Sequence, residues 1–567
     1  EGLRQVFDHG NGRGQHIALG SVKSQIGHAK GAAGAASLLK TALALHHKVL
    51  PPTINVTQPN PKLDLAHSPF YLNTEARPWL RRLPDVPRRA SVSAFGFGGT
   101  NFHVVLEEYT SEDSTAYRLN HVAQPVLLHA ATPEALTAVC EQALRDLEGE
   151  EDEAAAAYAA LTAQSKALEM PQAAARLGFV ADDRAEAVRL LTAALTTLQK
   201  QPEVEAWEHP RGITYRRAGL ETEGAVVALF PGQGSQYLNM GREAAINFPP
   251  LRAMFERMDA HFIDEGLPPL SEVVFPIPAF DDETREAQSD ALRATDYAQA
   301  AIGVTSAGFF EILAQAGFEP DFTAGHSFGE LSALWAGGVL SDDDFLALVK
   351  ARGKAMAPPD DPAFDDAGTM LAVKGDLDQI EQTVAAFDDV IIANQNSPSQ
   401  VVLAGPTDDI ERAAQTLAER GFKVTPLPVS AAFHTPLVGH ASAPFAEAVQ
   451  AATFQKARIP VYSNTTGQPY PDDVAAAQEI LSHHILHPVI FKTQIEHIYE
   501  AGGRVFVEIG PRRIVTNLVS EILEGKPHVA VALNSSRRKS SDRQLRDAVV
   551  RLRVAGLPLG DIDPYAR

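Results

Sequence analysis

Apolar positions along this chain fall into short strand-length runs alternating with stretches of helical period. Residues 225–230 (Ala-Val-Val-Ala-Leu-Phe) predict an apolar strand that runs straight into the polar, glycine-rich loop Gly232-Gln233-Gly234-Ser235-Gln236. Residues 318–324 predict a second short strand, followed by a tight turn and a helix over 330–336. Between 369 and 428 the pattern reads β-α-β-β-α-β, with strands at 369–373, 390–394, 400–403 and 423–427 and helices at 377–387 and 407–420. Asn394 and Asn396, in a polar stretch, read as turn residues. Upstream lie a strand at 125–130, a helix to 147, a strand at 174–180 and a helix at 183–198. Thr132 stands as N-cap of the first of these helices, with Pro133 at its first position and Glu134 in its first turn. An alanine- and glycine-rich helix is expected at 29–45 and a last one at 544–554.

A length of 567 residues corresponds to roughly three or four domains. A hydrophobic content of 45% is that of ordinary globular cores. No apolar run approaches the roughly 18 residues of a membrane span, and no charged-then-apolar leader is seen, so neither a membrane nor a secretory route is expected. The single Cys140 excludes an intrachain disulfide and a cysteine-rich metal site; no metal is expected, and a reducing, cytoplasmic setting fits. A net charge of −22 argues against nucleic acid, whose phosphates would be repelled. The acidic run from Glu148 to Glu153 reads as a solvated face or loop.

The turn between the strand at 318–324 and the helix at 330–336 is Gly325-His326-Ser327-Phe328-Gly329. G-x-S-x-G between a strand and a helix is the pattern of a nucleophile elbow. A serine hydroxyl needs an adjacent base, and His434, in Ala432-Phe433-His434-Thr435-Pro436, is the candidate. The backbone N–H of Phe328, at the helix start, is expected to face a developing oxyanion. With the Gly232–Gln236 loop at a strand end and Lys350-Ala351-Arg352-Gly353 beyond the elbow, residues 225–523 resemble the acyltransferase domain of fatty-acid and polyketide synthases, the malonyl-CoA:acyl-carrier-protein transacylases.

That resemblance implies an α/β fold: an α/β-hydrolase-like acyltransferase core with an inserted ferredoxin-like subdomain at about 369–428, and the site in the cleft between them. It implies Ser327 as nucleophile, His434 as general base, and Gln233 with Phe328 as oxyanion hole. Arg352 would pair with the free carboxylate of malonyl-CoA, and the bulky Phe433 would disfavour an α-methyl branch. His434 would be oriented by a backbone carbonyl in the segment His487-Pro488-Val489-Ile490-Phe491; relatives usually carry glutamine or arginine where Ile490 stands. No bound cofactor is implied, since the substrates themselves carry coenzyme A and phosphopantetheine. The partners implied are an acyl carrier protein and the other domains of a synthase.

Residues 1–109 resemble the C-terminal part of a β-ketoacyl synthase, a partial thiolase-like condensing domain. The resemblance rests on the runs 20–28, 51–53 and 93–103. It implies His28 as an active-site histidine, Lys23 in support, and Gly98 and Gly99 in a tight turn. The nucleophilic cysteine of such enzymes would lie upstream of these motifs, so this stretch is not expected to condense substrates; Cys140 falls outside the motifs. Residues 110–224 read as an α+β linker domain, 225–525 as the acyltransferase and 526–567 as a linker that, by the same resemblance, would return across the 110–224 linker to the condensing domain. A serine hydrolase or thioesterase on the same elbow is the alternative, and Arg352 with the Gly232–Gln236 loop argues against it. The front stretch taken alone fits a scaffold.

Overall fold

The computed structural model describes residues 2–7, 14–83, 85–109, 120–357, 366–429 and 431–565. The expected division at residue 110 lies outside the described residues. Contacts divide the chain into two compact units: Glu1–Leu119 with Tyr237–Leu292, and Asn120–Gln236 with Arg293–Ala566. No helix among the described residues is long and apolar enough to cross a membrane.

In the first unit an antiparallel hairpin, Arg89–Phe95 with Asn101–Glu107, lies beside the helix Ala33–His47. This helix follows a short 3-10 turn, Lys30–Ala32, and only Ala44 and Leu45 in it are buried. The helix expected at 29–45 thus forms from Ala33 and is buried only at its last turns. Phe95, Phe97, Phe102 and Val105 of the hairpin are exposed. Within this unit, Arg88 pairs with Glu108 at 2.7 Å and with Glu256, which ties the front of the chain to the segment 237–292. A buried arginine needs such carboxylate partners to offset its lost hydration.

The second unit starts with a four-stranded antiparallel sheet in the order Gln124–Ala130, Ala175–Ala181, Ile213–Arg216, Ala206–His209. Thr132 caps the helix Pro133–Leu147 by accepting from the N–H of Ala135 at 3.2 Å, as its sequence signal predicts. The acidic stretch from Glu148 to Glu153 is exposed throughout, as expected of a solvated face or loop. Glu151, Asp152 and Glu153 form the first turn of the helix Glu151–Ala167, where negative charge favours the positive end of the helix dipole. Strand alternation sorts this sheet's residues. Val126, Leu128, Leu177 and Phe179 face a core with Leu136, Cys140 and Leu191, whereas Leu127 and Val180 face Val550 and Val554 of the tail helix Ser541–Ala555.

The rest of this unit is built on a five-stranded parallel sheet in the order Val461–Tyr462, Phe322–Gly325, Val226–Phe230, Val505–Pro511, Val529–Asn534. The helix Thr295–Gln315 packs on it, with residues all round its circumference buried. Inserted after the helix Asp342–Met356 is a second, antiparallel sheet in the order Ile391–Ser397, Gln400–Gly405, Thr369–Lys374, Lys423–Pro426. Its helices Leu377–Val384 and Thr407–Glu419 share one core with it, which makes it the expected ferredoxin-like subdomain. Asn394 and Asn396 sit in its strand Ile391–Ser397 and not in a turn, because the register shifts beside each absorb the irregularity their polar sequence suggested.

Gly178 marks the closest approach of the tail helix: a Cβ there would fall 2.6 Å from Leu127 Cδ2 and 2.7 Å from Val550 Cγ1. Gly178→Val is expected to destabilise the unit by about 1–3 kcal/mol through overpacking and to speed amide exchange in the tail helix. A urea midpoint at the wild-type value with unchanged exchange over 541–555 would show that the helix docks elsewhere.

Candidate active site

The strand Phe322–Gly325 ends at the sheet's carboxyl edge, and the helix Gly329–Ala336 leaves it at once. Gly325 and Gly329 make this turn possible: a Cβ on Gly325 would lie 2.0 Å from the carbonyl carbon of Gly329, and one on Gly329 would lie 2.1 Å from the carbonyl oxygen of Phe230. Ser327 at the apex has φ +50°, in the left-handed region that non-glycine residues rarely adopt. It is held there by Asn464, whose Oδ1 accepts from the Ser327 N–H at 2.6 Å and whose Nδ2 donates to the carbonyl of Gly325.

Ser327 Oγ lies 2.7 Å from His434 Nε2. His434 follows the inserted subdomain and also has a left-handed backbone, φ +62°. Its Nδ1 faces the carbonyl oxygens of His487 at 3.0 Å and His484 at 3.2 Å. These acceptors fix the proton on Nδ1 and leave Nε2 free to take the serine proton. Burial, and then the charge of Arg352, hold His434 down to about 3, so it is neutral and ready as a base at ordinary pH. The adjoining Phe433 is buried.

Two backbone donors stand beside this pair. Gly232 abuts the elbow, since a Cβ on it would lie 2.5 Å from the carbonyl oxygen of His326, and this brings the Gly232–Gln236 loop against the turn. Among the described residues the N–H groups of Gln233 and Phe328 have no protein acceptor.

Arg352, on the helix Asp342–Met356, is 1% exposed. Its Nη1 donates to Gln299 Oε1 at 2.8 Å, while Nε and Nη2 have no acceptor among the described residues. Gln299 Nε2 also reaches Gln233 Oε1 at 3.3 Å, so one amide links the cation to the loop. Burial pushes Arg352 down to about 9, against the pull of Glu330, and it stays cationic at neutral pH.

Behind the elbow, Glu330 is fully buried and accepts from the Asn464 N–H at 2.9 Å and from the Tyr470 hydroxyl. Burial pushes its carboxyl up to about 7. His326 Nε2 donates to Asn396 Oδ1 at 2.7 Å, tying the elbow to the inserted subdomain.

The structure thus brings Ser327, His434, Phe328, Gln233 and Arg352 together. Lys23 and His28 lie in the other unit, exposed, where His28 Nδ1 accepts only from the nearby Lys30 N–H at 3.0 Å among its bonds described. Sequence reasoning missed Gln299, Asn464, Tyr470 and His484. Gln299 had a signal, being polar on a helix otherwise rich in alanine and apolar residues; Asn464 had another, following a short apolar strand as the Gly232–Gln236 loop does.

Comparison with known proteins agrees with this geometry. The Acyl transferase domain family matches residues 227–557; the Beta-ketoacyl synthase, C-terminal domain matches 1–57, and the Ketoacyl-synthetase C-terminal extension matches 59–177. The chain is 40% identical over 586 residues to one of the proteins of the polyunsaturated fatty acid synthase of Thraustochytrium sp., covering 99% of this chain and 20% of that protein. It is 33% identical over 555 residues to Mycoketide-CoA synthase of Mycobacterium tuberculosis, covering 96% and 12%. It thus spans a fifth or less of these two relatives. Among solved structures, the acyltransferase domain from the second module of the salinomycin polyketide synthase superposes with a TM-score of 0.56 at 29% identity, covering 79% of this chain and 94% of that one. An acyl-carrier-protein-S-malonyltransferase from Bartonella henselae does so at 0.50 and 27%, covering 59% and 100%. An acyltransferase is the class that the parallel sheet, the serine elbow and its histidine define. The chain belongs to the acyl transferase domain family, in a segment that also carries the C-terminal domain of a β-ketoacyl synthase.

Gly329→Ala is expected to cost about 3 kcal/mol or more and to abolish serine reactivity, because its methyl would displace the Phe230 carbonyl. Gly439→Ala, where no heavy atom lies within 4 Å of the new carbon, is expected to change stability by less than about 0.5 kcal/mol. Urea unfolding of both variants checks the pair.

Proposed function

We propose that this chain takes a malonyl group from malonyl-CoA onto Ser327 and passes it to the phosphopantetheine thiol of an acyl carrier protein, as one part of a larger synthase. The observation that carries this reading is the Ser327–His434 pair at 2.7 Å beside a buried arginine with two unengaged donor nitrogens. Ser327 Oγ attacks the thioester carbonyl while its proton passes to His434 Nε2. The N–H groups of Phe328 and Gln233 hold the oxyanion. The C–S bond then breaks, and His434 returns the proton to the departing coenzyme A sulfur. In the second half-reaction His434 takes the phosphopantetheine thiol proton, the sulfur attacks the acyl-serine, and Ser327 leaves with the proton, which completes a ping-pong cycle.

Arg352 selects the acyl group. A planar guanidinium grips a carboxylate through two parallel hydrogen bonds, and the Nε and Nη2 that such a grip uses are the two nitrogens without an acceptor here. Phe433 disfavours an α-branched malonyl by occupying the space of the branch. The malonyltransferase named among the solved structures supports the donor and the carrier-protein acceptor. On this reading residues 225–525 form the acyltransferase, 110–224 and 526–567 its flanking linkers, and 1–109 the condensing-domain part, in which Lys23 and His28 serve that domain's own chemistry. The reaction needs no resident cofactor, and a cytoplasmic setting fits its thioester donor.

Ser327→Ala is expected to show no mass adduct after incubation with malonyl-CoA, where the wild type gains one malonyl group; an adduct on the variant would place the nucleophile elsewhere.

Arg352→Ala is expected to lose about 30-fold or more in kcat/KM for malonyl-CoA, since truncating one partner of a buried charge pair costs about 2–5 kcal/mol. Activity with acetyl-CoA should rise relative to malonyl-CoA. An unchanged malonyl-to-acetyl ratio would remove the arginine from substrate selection.

A further inference from the structure

One buried cluster is not used by the chemistry above. His484 is 1% exposed, and neither ring nitrogen has a hydrogen-bond partner among the described residues. Its Nε2 lies 3.5 Å from Glu330 Oε2, and its ring packs edge-on against that of His434 with centroids 5.4 Å apart. Its backbone carbonyl accepts from His434 Nδ1. Glu330 in turn holds the Asn464 N–H, and Asn464 holds the Ser327 N–H. One carboxyl therefore faces both halves of the reacting pair: the nucleophile through Asn464, and the base through His484.

We propose that Glu330 and His484 form a buried positioning pair, sharing one proton, that fixes the elbow serine at one end and tunes the ring of His434 at the other. A buried imidazole with no acceptor or donor, and a buried carboxylate with no ion-pair partner in contact, are each costly. Facing each other, they relieve both costs when they hold one proton between them. Loss of that proton leaves a carboxylate beside the ring that packs on His434, where its charge favours the imidazolium formed as Ser327 gives up its proton. The other groups that face the pair are the Tyr470 hydroxyl, Ser463 and Arg352 around Glu330, and Arg352, His326, His434 and His487 around His484. Burial holds His326, His434 and His484 below the usual histidine range and Tyr470 well above the usual tyrosine range. Glu330, pushed up to about 7, is thus the buried group of the cluster that titrates near neutrality. His487 is exposed and contributes its carbonyl.

The inference rests on the Ser327–His434 chemistry, not on the identity of the acyl donor, so its test uses a donor-independent probe. Phenylmethylsulfonyl fluoride sulfonylates an activated serine: Oγ displaces fluoride and the proton passes to His434. Its second-order inactivation rate is measured from pH 5.5 to 8.5 on the wild type, Glu330→Gln, His484→Gln and His487→Gln, with malonyl loading followed in parallel. The wild-type rate should rise roughly ten-fold through an inflection near 7. Glu330→Gln keeps the side-chain volume and an acceptor for Asn464 but cannot ionise. It should give a flat profile at or below the wild-type's acid-side rate, His484→Gln should also lose the inflection near 7, and His487→Gln should keep it. A flat wild-type profile, or an inflection that survives in Glu330→Gln with the rate lowered equally at every pH, would overturn the proposal and leave Glu330 as a structural bond to Asn464. Failure of malonyl loading alone, with the inhibitor profile as expected, would overturn the substrate assignment and support the pair. If Glu330→Gln does not fold by near-ultraviolet circular dichroism, the profile of His484→Gln decides.

Discussion

The site depends on how closely three backbone segments approach one another around Ser327. The strand end at Gly325, the helix start at Gly329 and the loop at Gly232 meet with no room for a single Cβ. This contact points Ser327 out of the sheet with a left-handed backbone, and His434 meets it with another. Such conformations cost on the order of 1–3 kcal/mol each and persist only where the surroundings over-determine them. Here the surroundings are the parallel sheet, the buried helix Thr295–Gln315 and the side chain of Asn464, which bonds to the elbow at Gly325 and at its apex.

The distribution of charge follows from the same crowding. His434 is oriented by two carbonyl oxygens and not by a carboxylate. A carbonyl fixes the tautomer without adding a full negative charge beside His434. Gln299 acts the same way from the other side, engaging one guanidinium nitrogen through a neutral amide. The buried acid of the cluster, Glu330, lies behind the elbow with Tyr470, Asn464 and His484 around it. A buried cation with two unengaged nitrogens is unfavourable for folding, so the rest of the unit must stabilise it.

Much of the fold was legible where local pattern and tertiary environment agree. The β-α-β-β-α-β unit came through with boundaries within a few residues, because its strands and helices each bury one face against a single core. Polar sequence misled at one place. Asn394 and Asn396 lie in a strand because its bulges and the partner His326 accommodate them. The acids from Glu148 to Glu153 are solvated as expected, and the last three start a helix whose dipole stabilises them. In the front unit, the helix Ala33–His47 leaves Leu38 and Leu39 exposed, which no periodicity in the segment indicates.

What the sequence determined by itself was the elbow turn. Five consecutive residues, Gly325 to Gly329, specify the elbow, because its sterics are local and tolerate no Cβ at either end. The tertiary structure decided what surrounds that serine. His434, which its hydroxyl meets, lies 107 residues away in sequence and its anchor, Asn464, 137 residues away. The strands that deliver these groups stand out of chain order in the sheet, with Val461–Tyr462 at one edge beside Phe322–Gly325, and Val226–Phe230 next to Val505–Pro511. Local periodicity reports which face of an element is buried but not which element covers it. The hydrogen bonds to Ser327, His434 and Arg352 were therefore fixed only when the sheet order was.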